Sequence, residues 1–277
     1  MDALAADSQH SALLRRYGEN ALPPVGPWNA TIAGLLEHRS VRGYKPDALP
    51  PGTLETLIAA AQSAATSSNM QWWSAIAVTD PAKKKALAEI AGNQKHIDQC
   101  PLFIAWVADM SRNQHISEAE ETDFEAMPWL ETFMVACIDT ALAAQNAVIA
   151  AQSLGLSTVY IGAMRNDPER VHKLLGLPSQ AFVVFGLCVG YAAEAAKGEV
   201  KPRLPQTIVL HRERYDASRA DAERKVYDQE MAKFSARHEL QSATWTQRVK
   251  NRLGPIKSMN GRERMRKALA TLGFEIR

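Results

Sequence analysis

Residues 129–154 read WLETFMVACIDTALAAQNAVIAAQSL, a run that is apolar on nearly every side and is followed by Gly155, a residue suited to end a helix. The pattern predicts one long helix. Upstream, Trp73 to Thr79 and Leu102 to Ala108 read as buried strands, separated by a helix from Pro81 to about Ile90 and a polar junction at residues 92–96. Downstream, Ser157 to Met164 reads as a strand, Pro168 to Leu175 as a short helix ended by Gly176, and Phe182 to Val189 as another buried strand. A central helix between two pairs of strands, in irregular alternation, predicts an α+β fold rather than a parallel βαβ series. So apolar a helix must be covered, either within its own domain or by a partner chain. Ala141, Ala143, Ala144, Ala147 and Ala150 would permit close approach of a second helix. Asp139, Gln145, Asn146 and Gln152 within the run argue against a membrane span.

Outward from this centre, Thr53 opens a helix with Leu54, Leu57, Ile58 and Ala61 on one face. Asn29 or Thr31 can cap a shorter helix through Leu35, Leu36 and His38. Residues 109–127 are acidic and patternless, as in a solvated excursion. The stretch before Trp28 contains Pro23, Pro24, Gly26 and Pro27, which suits an extension that wraps or frays. The domain boundaries expected are an N-terminal extension at 1–27, a main domain at 28–205 and a C-terminal extension at 206–277. With 277 residues, 46% of them hydrophobic and 22% charged, the chain can bury a core without disulfides or metal. A net charge of +2 is too small to argue for nucleic acid, and no nucleic-acid partner is expected.

Several chemistries are excluded by inspection. No two of the 15 glycines stand two apart, so the GxGxxG dinucleotide fingerprint is absent, and there is no phosphate-binding GxxxxGK[ST] loop, GxSxG elbow, HExxH helix or EF-hand loop. Cys100, Cys137 and Cys188 are odd in number and far apart, which fits buried filler better than a metal or dithiol centre. No metal site is expected. What remains is a set of donors at element ends: His38, Arg39, Ser40 and Arg42 within five residues, and Lys201 and Arg203 flanking Pro202 so that both side chains leave an extended backbone on the same side. Spacing alone leaves two readings open, a shared grip on one phosphate or ordinary solvated charges.

Seven segments then fall in one recognisable order: HRSVRGY (38–44), the hydroxyl run Thr66-Ser67-Ser68 followed by Gln71, GNQKHI (92–97), DTALAAQNAVIAAQSLGL (139–156), VYIGAMRND (159–167), VFGLCVGY (184–191) and KPRLP (201–205). In this order the chain from about Thr31 to Pro205 resembles the nitroreductase superfamily, specifically its oxygen-insensitive NADPH nitroreductases and NADPH flavin oxidoreductases. The resemblance implies the nitroreductase fold, a central mainly antiparallel sheet flanked by helices, in an intertwined homodimer with FMN between subunits. It implies that His38, Arg39, Ser40 and Arg42 form one wall of the FMN site and that Lys201 and Arg203 complete it. Thr66, Ser67 and Ser68 would come from the neighbouring subunit, and Gln94 would bond the pyrimidine side of the ring. Tyr160, Ile161, Gly162 and Ala163 would pass beneath the ring, with a backbone N–H near Gly162 or Ala163 donating to N5. Arg42 or Lys95 could favour the anionic reduced flavin.

The implied activity is transfer of two electrons, as hydride, from NADPH through FMN to nitroaromatics, quinones or similar electron-poor acceptors, with no catalytic side chain because the chemistry resides on the flavin. Two rival readings are an NADPH:flavin oxidoreductase that releases reduced FMN and a non-catalytic flavin-binding sensor. Residues 244–267 carry eight cations against one acid, Glu263, and read either as a solvated face or as a source of contacts to the 2′-phosphate of NADPH. Ser68, Asn69, Arg248 and Arg252 are the candidates for the substrate and NADPH site. Acids before the first basic residues and no apolar core in residues 1–20 argue against a secretory signal, so a cytoplasmic protein without membrane partners is expected.

Overall fold

The computed structural model describes residues 3–196 and 198–277. They divide into two compact units, residues 3–39 with 198–258 and residues 40–196 with 259–277. In chain order the elements are α1 (Ala3–Tyr17), α2 (Ala30–Leu36), α3 (Thr53–Gln62), β1 (Trp73–Val78), α4 (Pro81–Ile90), α5 (Lys95–Gln99), β2 (Leu102–Asp109), α6 (Ser111–Ala119), α7 (Leu130–Ser153), β3 (Ser157–Ile161), α8 (Pro168–Leu175), β4 (Ala181–Gly190), α9 (Gln206–Val209), α10 (Ala220–Arg237), α11 (Trp245–Leu253) and α12 (Met265–Thr271).

The larger unit is built on a four-stranded sheet of order β1-β2-β4-β3, antiparallel at every pairing. Every residue of β2 is buried, as expected of an unbroken apolar run in the middle of a sheet covered on both faces. Alternation along β2 and β4 sends Ile104, Trp106, Leu187 and Val189 toward Ala143, Ala144, Ala147, Val148 and Ala151 of α7. Phe103, Ala105, Val107 and Cys188 face the other way, where Leu87 and Ala88 of α4, Ile97 of α5 and Val171 of α8 close the second layer. Gly186 permits this packing, because a Cβ there would lie 2.1 Å from the Phe103 ring.

The long helix spans 24 residues, and Gly155 after it takes φ 74°, so its ends agree with the sequence reading. Its surroundings differ from that reading. Ala143, Ala144 and Ala147 turn inward, where their small side chains let α7 lie close both to the strands and to α3, whose Leu57 and Ala61 share the same core, so the second helix they admit is one of the same chain. The large apolar residues Leu130, Met134, Ile138 and Leu142, four apart along one stripe, remain exposed. Two further differences are local. Residues 111–119, expected as an excursion, are helical, the first turn held by Asp109 accepting from the Ser111 N–H and hydroxyl at 3.0 and 2.6 Å. The strand expected through Met164 stops at Ile161 and tightens into a 3₁₀ turn at Gly162–Asn166.

The C-terminal residues complete this unit. Leu269, Leu272 and Phe274 pack with Phe182, and Phe133 meets Phe182 and Phe274 edge-on at 5.8 and 5.1 Å between centroids. The Gln180 N–H donates to the Leu272 carbonyl at 2.8 Å.

In the smaller unit, α10 supplies Tyr227, Met231 and Phe234 to a small core shared with Leu204, Leu240 and Trp245. Asn29 caps α2 by accepting from the Ile32 N–H, and Thr244 caps α11 by accepting from Gln247. The segment expected to wrap or fray contains the regular helix α1, with Ala12, Leu13 and Arg16 buried. Side-chain bonds add to its anchoring: Gln9 donates to the Gly26 carbonyl at 3.0 Å, and Arg15 pairs with Glu37.

Candidate functional site

The smaller unit holds His38, Arg39, Lys201 and Arg203. Lys201 is half-buried and Arg203 exposed, on the extended Lys201-Pro202-Arg203 segment whose backbone is fixed at three successive residues. The Lys201 carbonyl accepts from Arg16 Nη1 at 2.9 Å, the Pro202 carbonyl from the Tyr227 hydroxyl at 3.0 Å, and the Arg203 N–H donates to the Arg16 carbonyl at 2.8 Å. Lys201 Nζ lies 5.8 Å from the centre of the Phe234 ring. Lys201 and Arg203 open into a cavity of about 500 Å³ shared with Tyr17, Tyr227, Trp245 and Arg248. Among the described residues, three cations and no carboxylate line it. Cations above aromatic and aliphatic walls suit a phosphate attached to an organic group. Those donors fit the phosphate end of FMN.

Arg248 is brought to this cavity and is oriented there, its Nη2 donating to Ser235 Oγ at 3.3 Å and the Ser242 carbonyl at 3.1 Å while Nε is buried without a partner. Arg252 is set apart from it. Its guanidinium bonds the Ser258 carbonyl, and its own carbonyl accepts from the Ser258 hydroxyl at 2.6 Å.

The larger unit holds the remaining candidates. Ser40 forms an isolated parallel bridge with Thr158, and the adjacent Val41 N–H donates to the Thr158 carbonyl at 3.0 Å. Arg42 is exposed, and its charge adds to burial in holding His96 below the ordinary imidazole range. Gln94, half-buried, donates from Nε2 to the Ala91 carbonyl at 2.9 Å, and Lys95 is exposed. Tyr160 stands edge-on to Phe185 with centroids 4.9 Å apart, and burial pushes its phenol well above the usual range. Ile161 and Ala163 are buried and Gly162 half-buried, so the strand end presents chiefly backbone.

The hydroxyl run is a strained loop. Ser68, Asn69 and Gln71 have φ of 50°, 55° and 52°, a region in which non-glycine residues are held only by their surroundings. Asp139 of α7 does the holding: its carboxylate accepts from the Thr66 hydroxyl at 2.5 Å and the Ser67 N–H at 3.1 Å, and the Gln71 N–H donates to Thr66 Oγ1 at 3.0 Å. Arg112 braces the far end, donating to the carbonyls of Gln71 and Trp73 at 2.7 and 2.9 Å. The side chains of Ser67, Ser68 and Asn69 stay exposed.

Sequence reasoning missed Arg16, Asp139 and Arg112 as supports of these segments. Only Asp139 carried a signal, an acid inside an otherwise apolar helix face. Arg16 and Arg112 act on backbone carbonyls distant in sequence, which no spacing reveals.

Residues 35–191 match the Nitroreductase family, and residues 201–277 match the C-terminal domain of that family. A Bacillus subtilis protein named FMN reductase (NADPH) is 37% identical over 228 residues, covering 80% of this chain and 91% of its own. A Vibrio harveyi protein named NADPH-flavin oxidoreductase is 36% identical over 227 residues, covering 81% and 91%. The solved structure of B. megaterium NfrA2 superposes with a TM-score of 0.83 at 37% identity, covering 90% of this chain and all of the other.

Proposed function

This chain belongs to the Nitroreductase family, and on that premise we propose the parts its own residues play in the chemistry. It is an FMN-dependent oxidoreductase that uses NADPH. When bound, FMN supplies two-electron transfer between the nicotinamide and an acceptor. The single observation that carries our assignment of its anchor is the cationic cavity into which Lys201 and Arg203 open together. Lys201 and Arg203 hold the phosphate, with the backbone between them fixed in advance, so little ordering remains to oppose binding. His38, Arg39, Ser40 and Arg42 serve the same cofactor from the segment that follows α2. Gln94 addresses the ring's pyrimidine edge and Tyr160 to Ala163 its underside, where a backbone N–H at Gly162 or Ala163 orients the reacting nitrogen. No side chain of this set is needed as nucleophile or obligatory acid.

We assign a homodimer on the exposed stripe of Leu130, Met134, Ile138 and Leu142, which water should not be left to cover. In it Thr66, Ser67 and Ser68 reach the partner's flavin from a loop already strained into shape. Beyond flavin itself, the acceptors we propose are planar electron-poor molecules, nitroaromatics and quinones. A cytoplasmic setting accords with three free thiols.

Purified protein should carry about one FMN per chain, and NADPH should bleach its visible absorbance under anaerobic conditions. Protein that is colourless and takes up no added FMN would refute the reading. Lys201→Ala with Arg203→Ala should strip most of the cofactor, since each charge-assisted bond is worth roughly 1.5–3 kcal/mol. Unchanged FMN affinity in that double variant would place the phosphate elsewhere.

A further inference from the structure

Arg16 lies outside the residues matched to the family, which begin at 35, yet it is 6% exposed in the smaller unit. Its guanidinium faces main-chain carbonyls: Nη1 donates to Lys201, and Nη2 to Leu36 and, at 3.0 Å, to His38. A buried guanidinium is costly unless its hydrogens are matched. This one is matched by the end of α2, where His38 and Arg39 begin, and by the Lys201-Pro202-Arg203 segment at once. The fork is planar and rigid, so it fixes the spacing of those two stretches, and the Arg203 N–H returns a bond to the Arg16 carbonyl at 2.8 Å. Arg15 pairs with Glu37, which holds the same end of α2 against α1. The positive charge of Arg203 opposes that of Arg16, an unfavourable pairing that a bound phosphate dianion would relieve.

We propose that Arg16 is a positioning residue for the flavin phosphate, acting through Lys201 and Arg203, and that α1 is therefore a working part of cofactor binding. The proposal rests on the reading that Lys201 and Arg203 hold that phosphate. Because the role belongs to the forked geometry and not to the charge, lysine should be a poor replacement.

FMN dissociation constants, measured by flavin fluorescence on the full chain, test this. Arg16→Ala should weaken FMN ten- to a hundredfold, and Arg16→Lys should fall within about threefold of Arg16→Ala. In a Lys201→Ala/Arg203→Ala background, the further change Arg16→Ala should alter the constant less than threefold, because the residues through which it acts are gone. A merely structural role would lower the melting temperature but leave the constants multiplying independently, which would overturn the proposal. So would wild-type affinity in Arg16→Ala, or full rescue by lysine. If Arg16→Ala is insoluble, Arg16→Lys carries the same thresholds. Wild-type protein that binds no FMN would overturn the cofactor assignment, and this inference with it, whereas wild-type binding undisturbed by Arg16→Ala overturns this inference alone.

Discussion

His96 is 8% exposed, and its Nε2 is buried without a hydrogen-bond partner. Burial first, and the Arg42 charge second, hold its pKa below the ordinary 6.5. The unfolded chain therefore takes up a proton near pH 6.5 that the folded chain still refuses, so stability falls as pH drops through that value toward the depressed one. Within this window one such proton costs at most about 1.4 kcal/mol per pH unit. Urea midpoints measured from pH 7.5 down to 5.5 should decline, and His96→Asn should flatten the decline. An unaltered slope would assign the acid sensitivity to other groups. Arg248 and Arg252 separate at the same scale, one oriented into the cationic cavity and the other bound to its own turn. NADPH should be preferred over NADH by about ten- to a hundredfold in kcat/KM, corresponding to roughly 1.4–2.7 kcal/mol. Arg248→Ala should remove most of that preference and Arg252→Ala little; equal losses from both would show that Arg248, at the edge left by the flavin phosphate, does not discriminate the donors.

Among the elements, α7 has two faces with opposite tasks. Ala144 is fully buried in the core shared with the sheet and α3, and Ile138 is 52% exposed on the outer stripe. Ala144→Glu should cost several kcal/mol and abolish cooperative folding, because a carboxylate there has no partner. Ile138→Glu should leave the far-ultraviolet circular dichroism intact and shift light scattering from dimer to monomer. A dimer that survives Ile138→Glu would mean that the stripe is covered by something other than a second copy. Near the same helix, Asp139 links the strained Thr66–Gln71 loop to α7, so rigidity of the loop and placement of the helix are one property.

On the scale of the whole molecule, the chain returns to earlier work at its C-terminus. Residues 259–277 belong with 40–196, and Phe274, 5% exposed, closes an aromatic cluster with Phe133 and Phe182. Phe274→Ala should destabilise by about 3–5 kcal/mol and lower Tm on the order of 10 °C. A melt unchanged by this substitution would show that the C-terminal segment is dispensable to that core.

The sequence alone determined the α+β class and, among the described residues, the four strands and five of the twelve helices (α2, α3, α4, α7 and α8), because hydrophobic period, proline and glycine act within a few residues of themselves. Leu102 to Ala108, short, unbroken and apolar, read as a buried strand, and Asn29 or Thr31, Gly155 and Gly176 marked helix ends by local chemistry. The ordered motifs also identified the cationic and hydroxyl segments that the site draws on. Tertiary structure alone decided which face of α7 meets the sheet, that residues 3–17 form a helix with a buried guanidinium, and that the last nineteen residues join the larger unit. It alone set Arg248 beside Lys201 and Arg203 while leaving Arg252 apart. These outcomes depend on hydrogen bonds and packing between residues far apart in the chain, such as Arg16 with Lys201 or Asp139 with Thr66. Such pairings leave no period in the sequence, because the partners are chosen by the folded backbone.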